Sequence, residues 1–118
     1  MVNELKKKAI ELAINYEKKR GKNPERVNKF KEGYDIKSED RLIEIKINNK
    51  KNDLLLSFKN FKKLGKDVNK YYIYLFYNLE DKPKLKVLDP DFILKNINLL
   101  TLINIKSYIL DKIKEEEL

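Results

Sequence analysis

The chain has no histidine, no cysteine and no tryptophan, and only three glycines and three prolines in 118 residues. Without cysteine there is no disulfide framework and no thiolate zinc site. Without histidine there is no Ser-His-Asp triad, no Cys-His pair, no histidine metal cluster and no imidazole acid–base chemistry. Any catalysis must then run on carboxylates, lysine, tyrosine, hydroxyls and a hard, oxygen-loving cation. Long uninterrupted apolar runs are missing too: Lys95, Asn98, Lys106 and Asp111 break the apolar C-terminal third, which excludes it as a membrane span. The start, MVNELKKKAIELA, lacks the apolar core of a signal peptide. These features lead us to expect a soluble, cytoplasmic protein with no membrane partner.

What is present is charge and apolar mass together. Apolar residues make up 42% of the chain, which argues against disorder, and the length suits one domain spanning 1–118. The formal net charge of +8 suggests a polyanionic partner, most simply nucleic acid. Arginine is scarce, limited to Arg20, Arg26 and Arg41 among 27 basic residues, so a coding bias toward lysine accounts for the same excess.

Residues 4–20 read as a helix, with Asn3 as its cap, Glu4 in its first turn, Lys18-Lys19-Arg20 in its last and Gly21 at its end. Leu5, Ala9, Leu12, Ala13 and Tyr16 form its buried stripe. Residues 21–33 are a polar connector. Residues 33–38 and 41–48 are strands joined by a tight turn, and 53–56 is a third short strand. Ser57 caps a short helix ending at Gly65, YYIYLFY (71–77) is a central strand covered on both faces, and KLKVL (84–88) is a further strand. Residues 92–97 form a short helix. Leu102 to Leu110 is an edge strand or the start of a terminal helix that ends in KIKEEEL. The order implies an α/β fold in which a small mixed sheet is flanked by helices, because a crossover through the second helix allows a parallel neighbour.

The stretch GYDIKSEDRLIEIK (33–46) carries the chemistry. A tight turn at Glu39-Asp40 sets Ile36 opposite Ile43, Tyr34 opposite Ile45 and Asp35 opposite Glu44. Tyr34, Ile36, Ile43 and Ile45 then share one face, and Asp35, Glu44 and Lys46 share the other. Carboxylates that close repel, share a proton or hold a cation. In the first helix Glu17 projects inside the apolar arc and toward the sheet. Two or three carboxylates suit Mg²⁺ or Mn²⁺, which keeps several waters. Such an ion polarises a phosphate and lowers the pKa of a bound water, and Lys46 can orient that water or steady charge on phosphorus. The same residues also suit a solvated strand face with a cross-strand ion pair.

GYDIKS followed by RLIEIK resembles the D…(D/E)xK signature of the PD-(D/E)xK nuclease superfamily. More narrowly, the chain resembles the domain named after the C-terminus of plant protein NO VEIN, a family of unknown function. YEKKRGKNPERV, GYDIKS, LIEIK, SFKNFKKLG and YYIYLFY follow that family's order. The resemblance implies a restriction-endonuclease-like αβββαβ core. It also implies a Mg²⁺-dependent endonuclease with Asp35, Glu44 and Lys46 catalytic, and Glu17, Asp35 and Glu44 on the metal. The expected substrate is DNA, and the alternative is a non-catalytic nuclease-fold module that binds nucleic acid or a protein partner.

Substrate contacts are expected from Lys50, Lys51, Ser57, Asn60 and Lys63, with Lys59, Lys62 and Lys66 on the same helix as Lys63. For Ser57 and Asn60 the competing role is capping. For the tyrosines of 71–77 it is the core. A homodimer is expected from the apolar stretch Ile93 to Ile113, and a targeting partner from the absence of any second domain.

Overall fold

The computed structural model describes residues 2–27, 32–99 and 102–118. Helix α1 (Val2–Lys19) leads into β1 (Pro24–Arg26), β2 (Ile36–Ser38), β3 (Arg41–Ile47) and β4 (Leu54–Leu55). Helix α2 (Phe58–Lys66), β5 (Tyr71–Tyr77), β6 (Lys84–Leu88), α3 (Pro90–Asn96), β7 (Asn104–Ile105) and α4 (Ser107–Leu110) follow. The main sheet runs β1-β2-β3-β5-β6, and β4 pairs with β7 in a separate two-stranded sheet. Among the described residues only β3 and β5 are parallel neighbours; the other pairings are antiparallel. This is the mixed α/β architecture with helices over a small sheet.

The alternation of β5 builds the molecule. Tyr74 and Phe76 point to α1, where they join Ala9, Ile10, Ala13, Ile36, Ile43, Ile45 and Leu85. Tyr71, Ile73, Leu75 and Tyr77 point the other way, joining Leu42, Leu64 of α2, Ile93 of α3 and Leu110 of α4. A strand sandwiched between two apolar layers has no solvated face, which is why YYIYLFY carries no polar break. Helix α1 ends as expected: Gly21 takes the left-handed conformation (φ +78°), and its N–H donates to the Lys18 carbonyl.

Several boundaries differ from the sequence reading. Asn3 stands inside the first turn of α1, because the helix begins at Val2. The polar connector contains β1, which Pro24 to Arg26 form by pairing with Ser38 to Ile36; its residues 28–31 lie outside the described residues. The third strand forms at Leu54–Leu55 but joins β7 rather than the main sheet, where β1 takes the third place. Helix α2 continues one residue past Gly65. KIKEEEL is not helical: Glu116 donates its N–H to the Leu85 carbonyl at 2.7 Å and so covers the outer edge of β6.

The apolar C-terminal stretch is largely spent on this chain's own core. Ile93, Ile105 and Leu110 are buried, and Ile97, Ile103, Ile109 and Ile113 pack against them. Leu94, Leu99, Leu102 and Tyr108 remain exposed. Among the described residues no helix is long and apolar enough to cross a membrane.

Candidate active site

The β2–β3 hairpin turns through Glu39 and Asp40, with Ser38 paired to Arg41 and Ile36 to Ile43 as the sequence implies. Glu39 adopts positive φ (53°), which lets a two-residue turn close without Gly. The ladder then stops. Asp35 donates its N–H to the Ile43 carbonyl at 2.8 Å, and its side chain swings round so that Oδ2 accepts the Ile45 N–H at 2.8 Å. Asp35 therefore lies just before β2 begins, instead of standing opposite Glu44 as a strand partner. Alternation fails for Tyr34 for the same reason: it joins Leu42 and Tyr71 on the α2 side, not Ile36 and Ile43.

The turn before Asp35 is held from behind. Gly33 has φ +81°, a conformation L side chains rarely adopt. Its carbonyl accepts from Asn60 Nδ2 at 3.4 Å and from the Tyr71 hydroxyl at 3.5 Å. Asn60 also completes a capping box, accepting the Ser57 N–H at 3.1 Å while Ser57 Oγ accepts the Asn60 N–H at 3.0 Å.

Glu44 sits on the α2 face of β3, in the row of Leu42 and Lys46, and is fully buried. Lys46 Nζ stands 3.5 Å from Glu44 Oε2, on a side chain that is partly exposed. Asp35 is 4% exposed. Both carboxylates act on Tyr71: burial drives its phenol pKa well above the usual value, the Glu44 charge adds to that, and Asp35 adds less, against a lowering hydrogen bond from Asn60. Asp35, Glu44, Lys46 and Tyr71 thus form one electrostatic neighbourhood.

Glu17 belongs elsewhere. Its Oε1 accepts from Arg20 Nη1 at 2.6 Å and from Ser38 Oγ at 2.8 Å, and its Oε2 accepts a short bond from the Tyr74 hydroxyl, with Arg41 Nη1 at 3.9 Å. Ser38, Arg41 and Tyr74 line the α1 face, so β3 separates Glu17 from Glu44. Along the sheet Glu17 meets the Arg41 end of β3, whereas Asp35 meets Ile45. The inward direction expected of Glu17 is right, but the structure does not bring it to Asp35 and Glu44.

A cation stands against Asp35: Lys6 of α1, whose Nζ is 3.1 Å from Asp35 Oδ2 and donates to the Ile45 carbonyl at 2.7 Å. The sequence reading missed Lys6, although the signal was there: extending the Ala13, Ile10, Ala9 stripe back one turn reaches it. Tyr71 is core, as the unbroken run implies, but its hydroxyl end also donates to the Gly33 carbonyl and feels the charge of both carboxylates.

The expected substrate residues are dispersed. Lys50 and Lys51 are exposed on the turn after β3, with Lys50 paired to Glu115 at 3.1 Å. Ser57 and Asn60 are engaged in capping. Lys63 pairs with Asp67 at 3.0 Å and lies over the Tyr34 ring. Lys46 itself lines a separate hollow with Asn48, Asn52 and Asp53.

Among the described residues no three acidic side chains converge on one point. Mg²⁺ is commonly held by only one or two carboxylates with waters completing its shell. Asp35 and Glu44 supply that number, both buried and both oxygen donors, so the donor chemistry fits such an ion. Lys6 and Lys46 already offset part of their charge.

No curated protein and no solved structure matches the chain. The family profile for Protein NO VEIN, C-terminal, matches residues 5–88, which contain most of α1, the β2–β3 hairpin, α2, β5 and β6. The chain belongs to the family of the NO VEIN C-terminal domain.

Proposed function

We propose that this chain is a nuclease of PD-(D/E)xK type that hydrolyses phosphodiester bonds in nucleic acid, with DNA the first polymer to test and a divalent cation held by Asp35 and Glu44. One observation carries the reading: Glu44 is fully buried, its i+2 neighbour Lys46 is 3.5 Å away, and a second buried carboxylate, Asp35, acts on the same Tyr71 hydroxyl. Burying carboxylates costs several kcal/mol each even after relaxation. The sheet would fold at lower cost with apolar residues at both places.

When bound, Mg²⁺ or Mn²⁺ would serve as a Lewis acid toward the scissile phosphate. Lys46 keeps its ammonium beside Glu44 on a partly exposed side chain, a placement suited to orienting an attacking water and steadying charge growing on the phosphate oxygens. The Gly33 turn, fixed by Asn60 and Tyr71, holds Asp35 in place.

The Lys6–Asp35 pair favours a second reading, in which the ammonium is Asp35's permanent counter-ion and the domain binds nucleic acid or a protein partner without cutting. Titrating Mn²⁺ calorimetrically into the wild type and Glu44→Gln, followed by cleavage assays on mixed DNA substrates, separates the two. The nuclease reading expects metal uptake and cleavage in the wild type and the loss of both in Glu44→Gln. A wild type that takes up no metal and cuts nothing supports the second reading.

A further inference from the structure

Helix α2 presents a basic stripe with an aromatic residue at its start. Lys59, Lys62, Lys63 and Lys66 follow helical spacing along about 10 Å of axis, and together with Phe58, Gly33 and Gly65 they line a groove of about 760 Å³. Among the described residues Glu32 is the acidic one on its wall, and Asp67 pairs with Lys63. Even with both counted, the described lining keeps an excess of two positive charges. Phe58 is 70% exposed at the first position of the helix, and its ring centroid lies 5.9 Å from Lys62 Nζ. The chain had an apolar face available, since Phe61 and Leu64 of the same helix pack inward. Phe58 is directed away from it.

We infer that this groove binds single-stranded nucleic acid, with an unstacked base on Phe58 and the neighbouring phosphates on Lys59, Lys62 and Lys66. The inference rests on the nuclease reading for its biological sense and deepens it by assigning the strandedness of the substrate. An exposed ring flanked by lysines offers one surface for a π-face and another for phosphate, the pairing by which single strands are held without sequence preference. The groove falls in the size range of a small-ligand site. It accommodates one or two splayed nucleotides, not a duplex, whose bases are already stacked on each other.

The groove also abuts the candidate centre. Gly33 forms part of its wall, and a Cβ there would meet Lys63 Cβ at 3.2 Å, so the turn and the helix are in close apposition. Two residues further on is Asp35. A strand lying on α2 therefore runs past the turn that positions this carboxylate.

The test is fluorescence anisotropy in EDTA, which prevents cutting, with labelled dT12, rU12 and a 12-base-pair duplex as probes. We expect at least one single strand to bind at least tenfold more tightly than the duplex, and the two single-stranded probes distinguish DNA from RNA. Phe58→Ala should weaken that strand about tenfold or more, Phe58→Tyr should restore it, and neither should move the unfolding midpoint far. Lys62→Gln with Lys66→Gln should flatten the log–log salt dependence by about 1.4. Lys82→Gln with Lys95→Gln, equal in charge but not among the residues lining the groove, should not. Equal affinity for duplex, indifference to Phe58→Ala, or equally effective displacement by poly-glutamate would each overturn the assignment. Binding that depends on Phe58 without any cleavage in Mn²⁺ would leave the groove standing and sink the nuclease reading. Cleavage indifferent to Phe58 would do the reverse.

Discussion

Lys6 on helix α1 and Asp35, the residue just before β2, form an ion pair with Nζ 3.1 Å from Oδ2, at the point where the hairpin ladder stops. A cation already stands on one side of the carboxylate that the nuclease reading assigns to a metal.

Two opposite effects follow from removing it. Lys6→Met leaves Asp35 buried without this partner, which should cost about 1–3 kcal/mol of stability in EDTA. A divalent ion would then meet less repulsion, so Mn²⁺ should bind the variant severalfold more tightly. Thermal unfolding with and without Mn²⁺ reads both, because a ligand at a hundred times its Kd adds about 2.7 kcal/mol. Lys6→Met should gain more from Mn²⁺ than the wild type does. An equal or smaller gain would place the ion away from Asp35.

Glu17 is the control for that experiment. It lies on the opposite face of β3 from Glu44 and ties Arg20, Ser38 and Tyr74 together. Glu17→Gln should lower stability by about 3 kcal/mol, since charge-assisted hydrogen bonds inside a buried network are lost. Metal affinity should stay at the wild-type value. A Glu17→Gln protein that folds normally but loses Mn²⁺ binding would show that the helix acid reaches the centre after all.

Much of this arrangement was legible in the residues. The two-residue turn, the Ile36–Ile43 pairing, the central strand 71–77 and the Ser57 cap are set by local patterns: alternation, an unbroken apolar run and a capping residue at the right spacing. Asp35 and Tyr34 were misplaced because alternation holds only while the ladder continues, and the turn at Gly33 breaks it. Glu17 reads as inward-facing from helical periodicity, but periodicity gives a direction around the axis and not which end of the sheet lies opposite. Lys6 was overlooked because a lysine in an apolar stripe looks like the stripe's edge. The β4–β7 pairing and the cover of β6 by Glu116 are contacts between distant segments, and short-range patterns carry no trace of them.

Asn60 offers a way to separate capping from the positioning of Asp35. Its Oδ1 caps α2 and its Nδ2 supports the Gly33 carbonyl. Asn60→Asp keeps the acceptor but replaces the donor with an oxygen facing that carbonyl. Ser57→Ala removes only a cap, at about 1 kcal/mol. Asn60→Asp should cost more than Ser57→Ala in urea unfolding and should speed hydrogen exchange at the Asp35 amide, which Ser57→Ala should leave slow. If the two variants cost the same and protect Asp35 equally, Asn60 is a cap and nothing more.

Tyr16 on α1 donates its hydroxyl to Glu116 at 2.9 Å, securing the segment that covers β6. Burial first, then this hydrogen bond and the Glu116 charge, push its phenol pKa up to about 12, against the opposing charges of Arg20 and Arg41. The folded chain thus holds this proton more tightly than the unfolded one, whose phenol titrates near 10. Stability from this source is complete below pH 10 and falls as pH rises from 10 through 12, because the unfolded state releases its proton first. Tyr71 and Tyr74 are shifted in the same direction by burial and their carboxylate neighbours, so the decline continues above that window. Tyr16→Phe should cost about 1 kcal/mol at pH 8 through the lost hydrogen bond. Its urea midpoint should then fall less steeply than the wild type's between pH 10 and 12. Parallel curves across that window would mean that the Tyr16 phenol titrates alike in the folded and unfolded chains, and that its bond to Glu116 does not persist in solution.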